Sequence, residues 1–138
     1  MSVYIDINVI ISFVDEADPN HGKALKLVNK LSRDRVASML TLVELTSVYS
    51  RAGLENPLAL ALYSIEAVNA RIADVDFNNV LKNAFTYAQK LKLRTFDLLH
   101  VVVASIAGCK EFATFDNEII MKSKDIASNL GIEVVTET

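Results

Sequence analysis

Val3-Tyr4-Ile5-Asp6-Ile7-Asn8, near the start of the chain, sets an aspartate directly behind three strand-forming residues. β-Branched and aromatic side chains favour a strand. Asp6 is therefore expected at its carboxyl end, with a short helix from Asn8 to Val14 following at once. The pattern returns far downstream in Phe112-Ala113-Thr114-Phe115-Asp116, where a strand over 112–115 ends on an acid before a short helix from Glu118 to Lys122. Between these two stretches, short β-type runs alternate with amphipathic helices. Such alternation indicates a three-layer α/β/α sandwich around a mostly parallel sheet.

Asp18-Pro19 is read as an N-cap with proline at the first helical position. Ala24, Leu27, Val28 and Leu31 then recur at helical spacing. Val36-Ala37-Ser38 is a short strand, Thr41 opens a helix that Gly53 ends, and Asn56-Pro57 starts the next, through Ala67. Ile72 to Val75 is a strand. Asp76 caps a helix over Phe77 to Leu91, with Val80, Leu81, Ala84, Ala88 and Leu91 as its inner stripe. A helix from Thr95 to Ala107 stops at Gly108. A turn over Ile126 to Leu130 and a strand over Ile132 to Val135 complete the pattern.

Four acids stand out because their neighbours are apolar: Asp6, Glu44 in Thr41-Leu42-Val43-Glu44-Leu45, Asp97 in Thr95-Phe96-Asp97-Leu98-Leu99, and Asp116. Each has a local explanation. Asp6 and Asp116 can cap the helices that follow them. Glu44 lies three residues after Thr41, the spacing of a capping box. Asp97 falls in a first helical turn, where the helix dipole favours negative charge. The set argues for more. Asp6 and Asp116 end strands, and in an open α/β sheet ligands bind beyond the carboxyl ends of the strands. Carboxylates gathered there without a cation would repel one another. Oxygen-only donors point to a hard divalent ion, Mg²⁺ or Mn²⁺.

The order of these elements resembles the PIN domain, and in size the small VapC-type toxin ribonucleases. Tyr4-Ile5-Asp6-Ile7-Asn8 carries the resemblance, with Ser38 through Thr41 to Glu44-Leu45. So do Phe96-Asp97-Leu98-Leu99-His100 followed by Ala104, and Ala113-Thr114-Phe115-Asp116. The resemblance implies a metal-dependent endoribonuclease with Asp6, Glu44, Asp97 and Asp116 as its acidic constellation. Asn8 and Thr114 would support the site by hydrogen bonding, and cleavage would leave 5′-phosphate and 3′-hydroxyl ends. It also implies a homodimer and an inhibitory antitoxin.

The 138 residues fit one domain spanning 1–138. With 51% hydrophobic residues they can bury a core, and two prolines and four glycines leave little room for linkers. A net charge of −3 argues against a general nucleic-acid coat protein, though not against a nuclease whose cations offset its acids. Basic residues cluster at Lys23, Lys26, Lys30, Arg33 and Arg35, taken as a solvated face, and at Lys90, Lys92 and Arg94, close enough to Asp97 to reach a substrate phosphate. No apolar run is long enough to span a membrane, and no signal peptide is expected. The lone Cys109 excludes an internal disulfide and fits a reducing cytoplasm. It has no nearby base and is read as inert. His100 is read as a packed core residue and Glu118 as a solvated one.

Two rivals remain at this level. One is a Mg-dependent phosphatase or phosphotransferase on a similar scaffold, which would want a second acid where Asn8 stands. The other is a non-catalytic member acting as a binding or assembly module. Thr46 to Ala67 carries Tyr49, Leu54, Leu58, Leu60, Leu62, Tyr63 and Ile65, read either as a thick core or as a protein interface.

Overall fold

A computed structural model describes residues 1–137. In chain order the elements are β1 (Ser2–Ile5), α1 (Ile7–Val14), α2 (His21–Lys30), β2 (Asp34–Ala37), α3 (Met39–Arg51), α4 (Pro57–Ala67), β3 (Ala70–Ile72), α5 (Phe77–Leu91), α6 (Thr95–Ile106), β4 (Glu111–Ala113), α7 (Asn117–Met121), α8 (Ser123–Leu130) and β5 (Glu133–Val135). The strands form one sheet in the order β3-β2-β1-β4-β5. All four pairings are parallel, so the sheet expected to be mostly parallel is wholly so.

Side chains alternate across a strand, and each short central strand therefore feeds two cores. Tyr4, Val36 and Phe112 face α5, α6 and α8, joining Val80, Leu91, Val101 and Ile126. Val3, Ile5, Ala37 and Ala113 face the other way, against Val9, Ile10, Leu27, Leu45 and Ile65 of α1 to α4. Burial on both faces explains why the carboxyl-terminal parts of these strands, Val3-Tyr4-Ile5, Val36-Ala37 and Phe112-Ala113, are apolar without alternation.

Several boundaries differ from the sequence expectations. The helix expected from Asp18-Pro19 begins at His21. Asp18 instead ties the preceding turn, its carboxylate accepting from Asn20 N at 2.8 Å and Ser12 Oγ at 3.1 Å. The strand expected over 72–75 lies at 70–72, because Ala70 to Ile72 is the segment in register with Arg35 to Ala37. β4 ends at Ala113, short of the expected Phe115, since Phe115 N and Asp116 N donate to the side chains of Asn8 and Thr114 and not to a neighbouring strand. On α5, Val80, Ala84 and Leu91 are buried, but Leu81 and Ala88 are exposed. Arg35 is not part of a solvated face: its guanidinium donates to the carbonyls of Val28, Ser32 and Val68, joining α2 to the entry of β3.

The order of strands fixes where a site can form. From β1 the chain moves outward to β2 and β3, then crosses back to place β4 on the other side of β1. Loops leaving β1 and β4 thus diverge and leave a crevice at their carboxyl ends, the switch point of a parallel sheet.

Candidate active site

Asp6 directly follows β1, Thr114 directly follows β4, and Asp116 lies two residues further on. The parallel pairing of Ile5 with Ala113 brings the two strand ends side by side. Asp6 is buried, and both oxygens of its carboxylate accept hydrogen bonds. One oxygen accepts from Ile7 N at 2.9 Å, which caps α1. The other accepts from the Thr114 hydroxyl at 2.8 Å and Asn8 Nδ2 at 3.2 Å. Asn8 Oδ1 accepts in turn from Phe115 N at 3.0 Å, and Thr114 Oγ1 from Asp116 N at 2.9 Å. Asn8 and Thr114 therefore clamp the β1 and β4 ends together and hold Asp6. Asp116 caps α7 by accepting from Glu118 N at 2.8 Å.

Glu44 departs from its local explanation. α3 starts at Met39, two residues before the expected Thr41, and its N-cap is Ser38. The capping box is formed by Ser38 and Thr41. Glu44 thus sits beyond the first turn with no cap to make. Its Oε1 lies 2.8 Å from His100 Nε2, a contact between α3 and α6. His100 is buried, as expected, but it is not merely packed: Nδ1 meets the Tyr4 hydroxyl at 2.7 Å. Nothing in the sequence marks the Glu44–His100–Tyr4 connection, because the bonded pairs lie 56 and 96 residues apart and meet only across the sheet.

Asp97 occupies the first turn of α6, as expected, and no hydrogen bond among the described residues ties its carboxylate. Arg94 reaches toward it at 3.9 Å and pairs with Glu118 at 3.0 Å. Glu118 is exposed and serves as that partner. Lys90 and Lys92 are placed elsewhere. Lys90 lies over the Tyr87 ring, and Lys92 lines a separate groove with Leu93, Glu118 and Met121. Of the basic trio, only Arg94 lines the acid cleft.

That cleft, of about 540 Å³, is lined by Asp6, Ile7, Asn8, Glu44, Arg94, Thr95, Phe96, Asp97 and Asp116. All four acids singled out in the sequence meet there. Phe96, half-exposed at its wall, was not anticipated. An exposed phenyl ring beside carboxylates has no sequence signal until the helix start is placed.

The electrostatics follow from crowding. Burial raises the Asp6 carboxyl above its ordinary range, opposed by the nearby His100, the Thr114 hydroxyl and the Ile7 N–H. The Asp97 carboxyl is pushed up to about 6, first by burial and then by the charges of Asp116 and Asp6. Groups raised this way would be relieved by a cation. Among the described residues, no three His, Cys, Asp or Glu side chains are arranged to hold an ion as they stand. The carboxylates line the walls of the cleft instead of meeting at one point. An all-oxygen set around an open cleft still fits Mg²⁺ or Mn²⁺, because Mg²⁺ commonly keeps several waters and takes only one or two carboxylates directly.

An acid-lined cleft at the switch point of a parallel sheet defines a class of α/β protein, and the comparisons place this chain within it. The PIN domain family matches residues 3–125, so the chain belongs to that family. The fold is similar to that of VapC20 from Mycobacterium tuberculosis, a Sarcin-Ricin loop cleaving toxin. The TM-score is 0.70 at 16% identity, covering 86% of this chain and 93% of that one. No curated protein matches.

Proposed function

We propose that the chain works as one PIN domain and is a divalent-cation-dependent endoribonuclease, the toxin of a toxin–antitoxin pair. The observation that carries this is the convergence of Asp6, Glu44, Asp97 and Asp116 from four separate elements on one cleft. These four carboxylates would hold Mg²⁺ or Mn²⁺. When bound, the ion would make water a better nucleophile and offset charge on the scissile phosphate.

The chain's own residues do the rest. The hydrogen bonds from Ile7, Asn8 and Thr114 keep Asp6 in one orientation. Arg94, largely exposed at the cleft, offers a guanidinium to phosphate oxygens. Phe96 presents an aromatic surface on which a base can stack. Asn8 is committed to Asp6 and Phe115, so it does not replace the second acid of a phosphatase. The Sarcin-Ricin loop named for VapC20 makes a structured RNA loop the first substrate to try.

The proposed setting is the cytoplasm, and no helix among the described residues is long and apolar enough to cross a membrane. A homodimer and an antitoxin belong to the same proposal. The Thr46–Ala67 stretch supports a protein interface: Tyr49 and Ile65 enter the core, while Leu54, Leu58, Leu62 and Tyr63 stay exposed.

The test is cleavage of loop-containing RNA with Mg²⁺, with Mn²⁺ and with chelator, reading the product ends. Cation-dependent cleavage leaving 5′-phosphate ends is expected. Undiminished cleavage in chelator would sink the metal reading, and 2′,3′-cyclic ends would sink the hydrolytic one.

A further inference from the structure

Glu44 is the acid of the cleft whose carboxylate meets a buried imidazole on another helix. With Glu44 ionised and the imidazole neutral, the hydrogen bonds behind it can run in one direction. An ionised carboxylate only accepts, so His100 Nε2 donates to Glu44 Oε1 at 2.8 Å. In the neutral ring Nδ1 is then the acceptor, filled by the Tyr4 hydroxyl at 2.7 Å. Having given its only proton, the Tyr4 oxygen accepts from Ser38 Oγ at 2.8 Å and Thr41 Oγ1 at 3.1 Å. Those hydroxyls are fixed as acceptors of each other's backbone N–H in the capping box that begins α3.

The chain of bonds is closed. It leaves the second turn of α3 at Glu44, passes through α6 and β1, and returns to the first turn of α3. His100, Tyr4, Ser38 and Thr41 are all buried, and no buried side-chain polar atom among the described residues lacks a partner. A phenol, two hydroxyls and an imidazole in an apolar core are costly unless fully satisfied. A phenylalanine at position 4 and an aliphatic residue at 100 would make a simpler core, but neither could aim Glu44.

We propose that His100 is a positioning residue, holding Glu44 toward the acid cleft through Nε2–H while Tyr4 locks its tautomer from behind. The proposal deepens the nuclease reading and rests on it. Groups standing behind a ligand typically matter 10–100-fold to metal affinity.

Two substitutions separate the two nitrogens. The amide of His100→Asn stands where Nδ1 stood, facing Tyr4, and leaves Glu44 without a donor. The amide of His100→Gln reaches the Nε2 position and restores it. Mn²⁺ affinity, measured by calorimetry on the full chain, should fall about tenfold or more in His100→Asn and stay within about threefold of the parent in His100→Gln. Thermal midpoints of the metal-free proteins should drop comparably, so packing loss does not explain the difference. Tyr4→Phe keeps the ring and should weaken Mn²⁺ binding by a smaller factor. ¹⁵N spectra of the parent imidazole should show the Nε2–H tautomer.

Equal Mn²⁺ binding by parent, Asn and Gln variants overturns the role of His100 and leaves the acid site standing. A parent that binds no Mn²⁺ overturns both. If the histidine variants do not fold, unchanged binding in Tyr4→Phe or an Nδ1–H tautomer in the parent overturns the proposal.

Discussion

The strand-end acids and the helix-borne acids line the same cleft, yet they are held in opposite ways. Asp6 and Asp116 each cap a helix, and Asp6 is gripped by three donors. Glu44 and Asp97 cap nothing. Glu44 is steadied from a distant helix, and Asp97 only by an arginine at 3.9 Å. A capping acid has reason to stay where it is even without a ligand. A half-buried carboxylate with no local bond does not, since its position costs free energy in the isolated protein. Asp97 is therefore the acid that most calls for the proposed cation, although it has the weakest local geometry.

The largest effect that could break this contrast is on cleavage. Asp6→Asn and Asp97→Asn should each lower RNA cleavage by about 100-fold or more, since losing a ligand should cost at least what losing its supporting neighbour does. Asp6→Asn keeps capping capacity, because Asn caps as well as Asp. Calorimetry should find Mn²⁺ binding weakened in both. Parent-like binding in Asp6→Asn would mean that its burial is structural only.

Glu44→Gln comes next. Glu44 makes no cap, and Glu44→Gln keeps an oxygen that can accept from His100 Nε2, so metal-free stability in urea should fall by no more than about 1–2 kcal/mol, while cleavage falls at least about tenfold. Full activity would remove Glu44 from the site.

The stability of the metal-free protein sharpens the comparison further. Asp97 has a folded pKa of about 6, above the ordinary value of about 3.9. Between these values the folded state binds more protons than the unfolded state, so the contribution of this group to stability falls as pH rises from about 4 to about 6. In chelator at pH 7, Asp97→Asn should therefore gain on the order of 1–2 kcal/mol, because a tenfold change in proton affinity corresponds to about 1.4 kcal/mol and partial exposure screens some of it. The gain should vanish near pH 4. Urea titrations at the two pH values check this, and a gain that is equal at both would point to packing instead.

The smallest effect concerns Arg94 against its lysine neighbours. Arg94→Ala should reduce the log–log salt slope of RNA binding by about 0.7, one phosphate contact on a single strand. Lys90→Ala with Lys92→Ala should leave it nearly unchanged, since neither side chain lines the cleft. Equal slopes in all three proteins would move the RNA path elsewhere on the surface.

Much of this was legible in the residue order. Strand-forming runs leading up to Asp6 and Asp116 indicated the parallel sheet and its ligand-binding edge, and apolar neighbours marked Glu44 and Asp97. Boundaries slipped where a side chain overrode local preference. Thr41 resembles a helix opener but is the third residue of a helix capped by Ser38. Asp18 resembles a cap but ties a turn, and the strand at 70–72 was set by register with β2.

The sequence by itself determined the alternation of strands and helices, and with it which four acids could reach one edge of a sheet. Burial pattern and capping chemistry act over a few residues and can be read in order along the chain. Only the tertiary structure decided that Arg94 and Phe96 join the cleft, that Lys90 and Lys92 do not, and that Glu44 is held by His100 and Tyr4. Those relations depend on α3, α6 and β1 packing across the sheet, where residues far apart in sequence come within 3 Å. No local pattern encodes a distance of that kind.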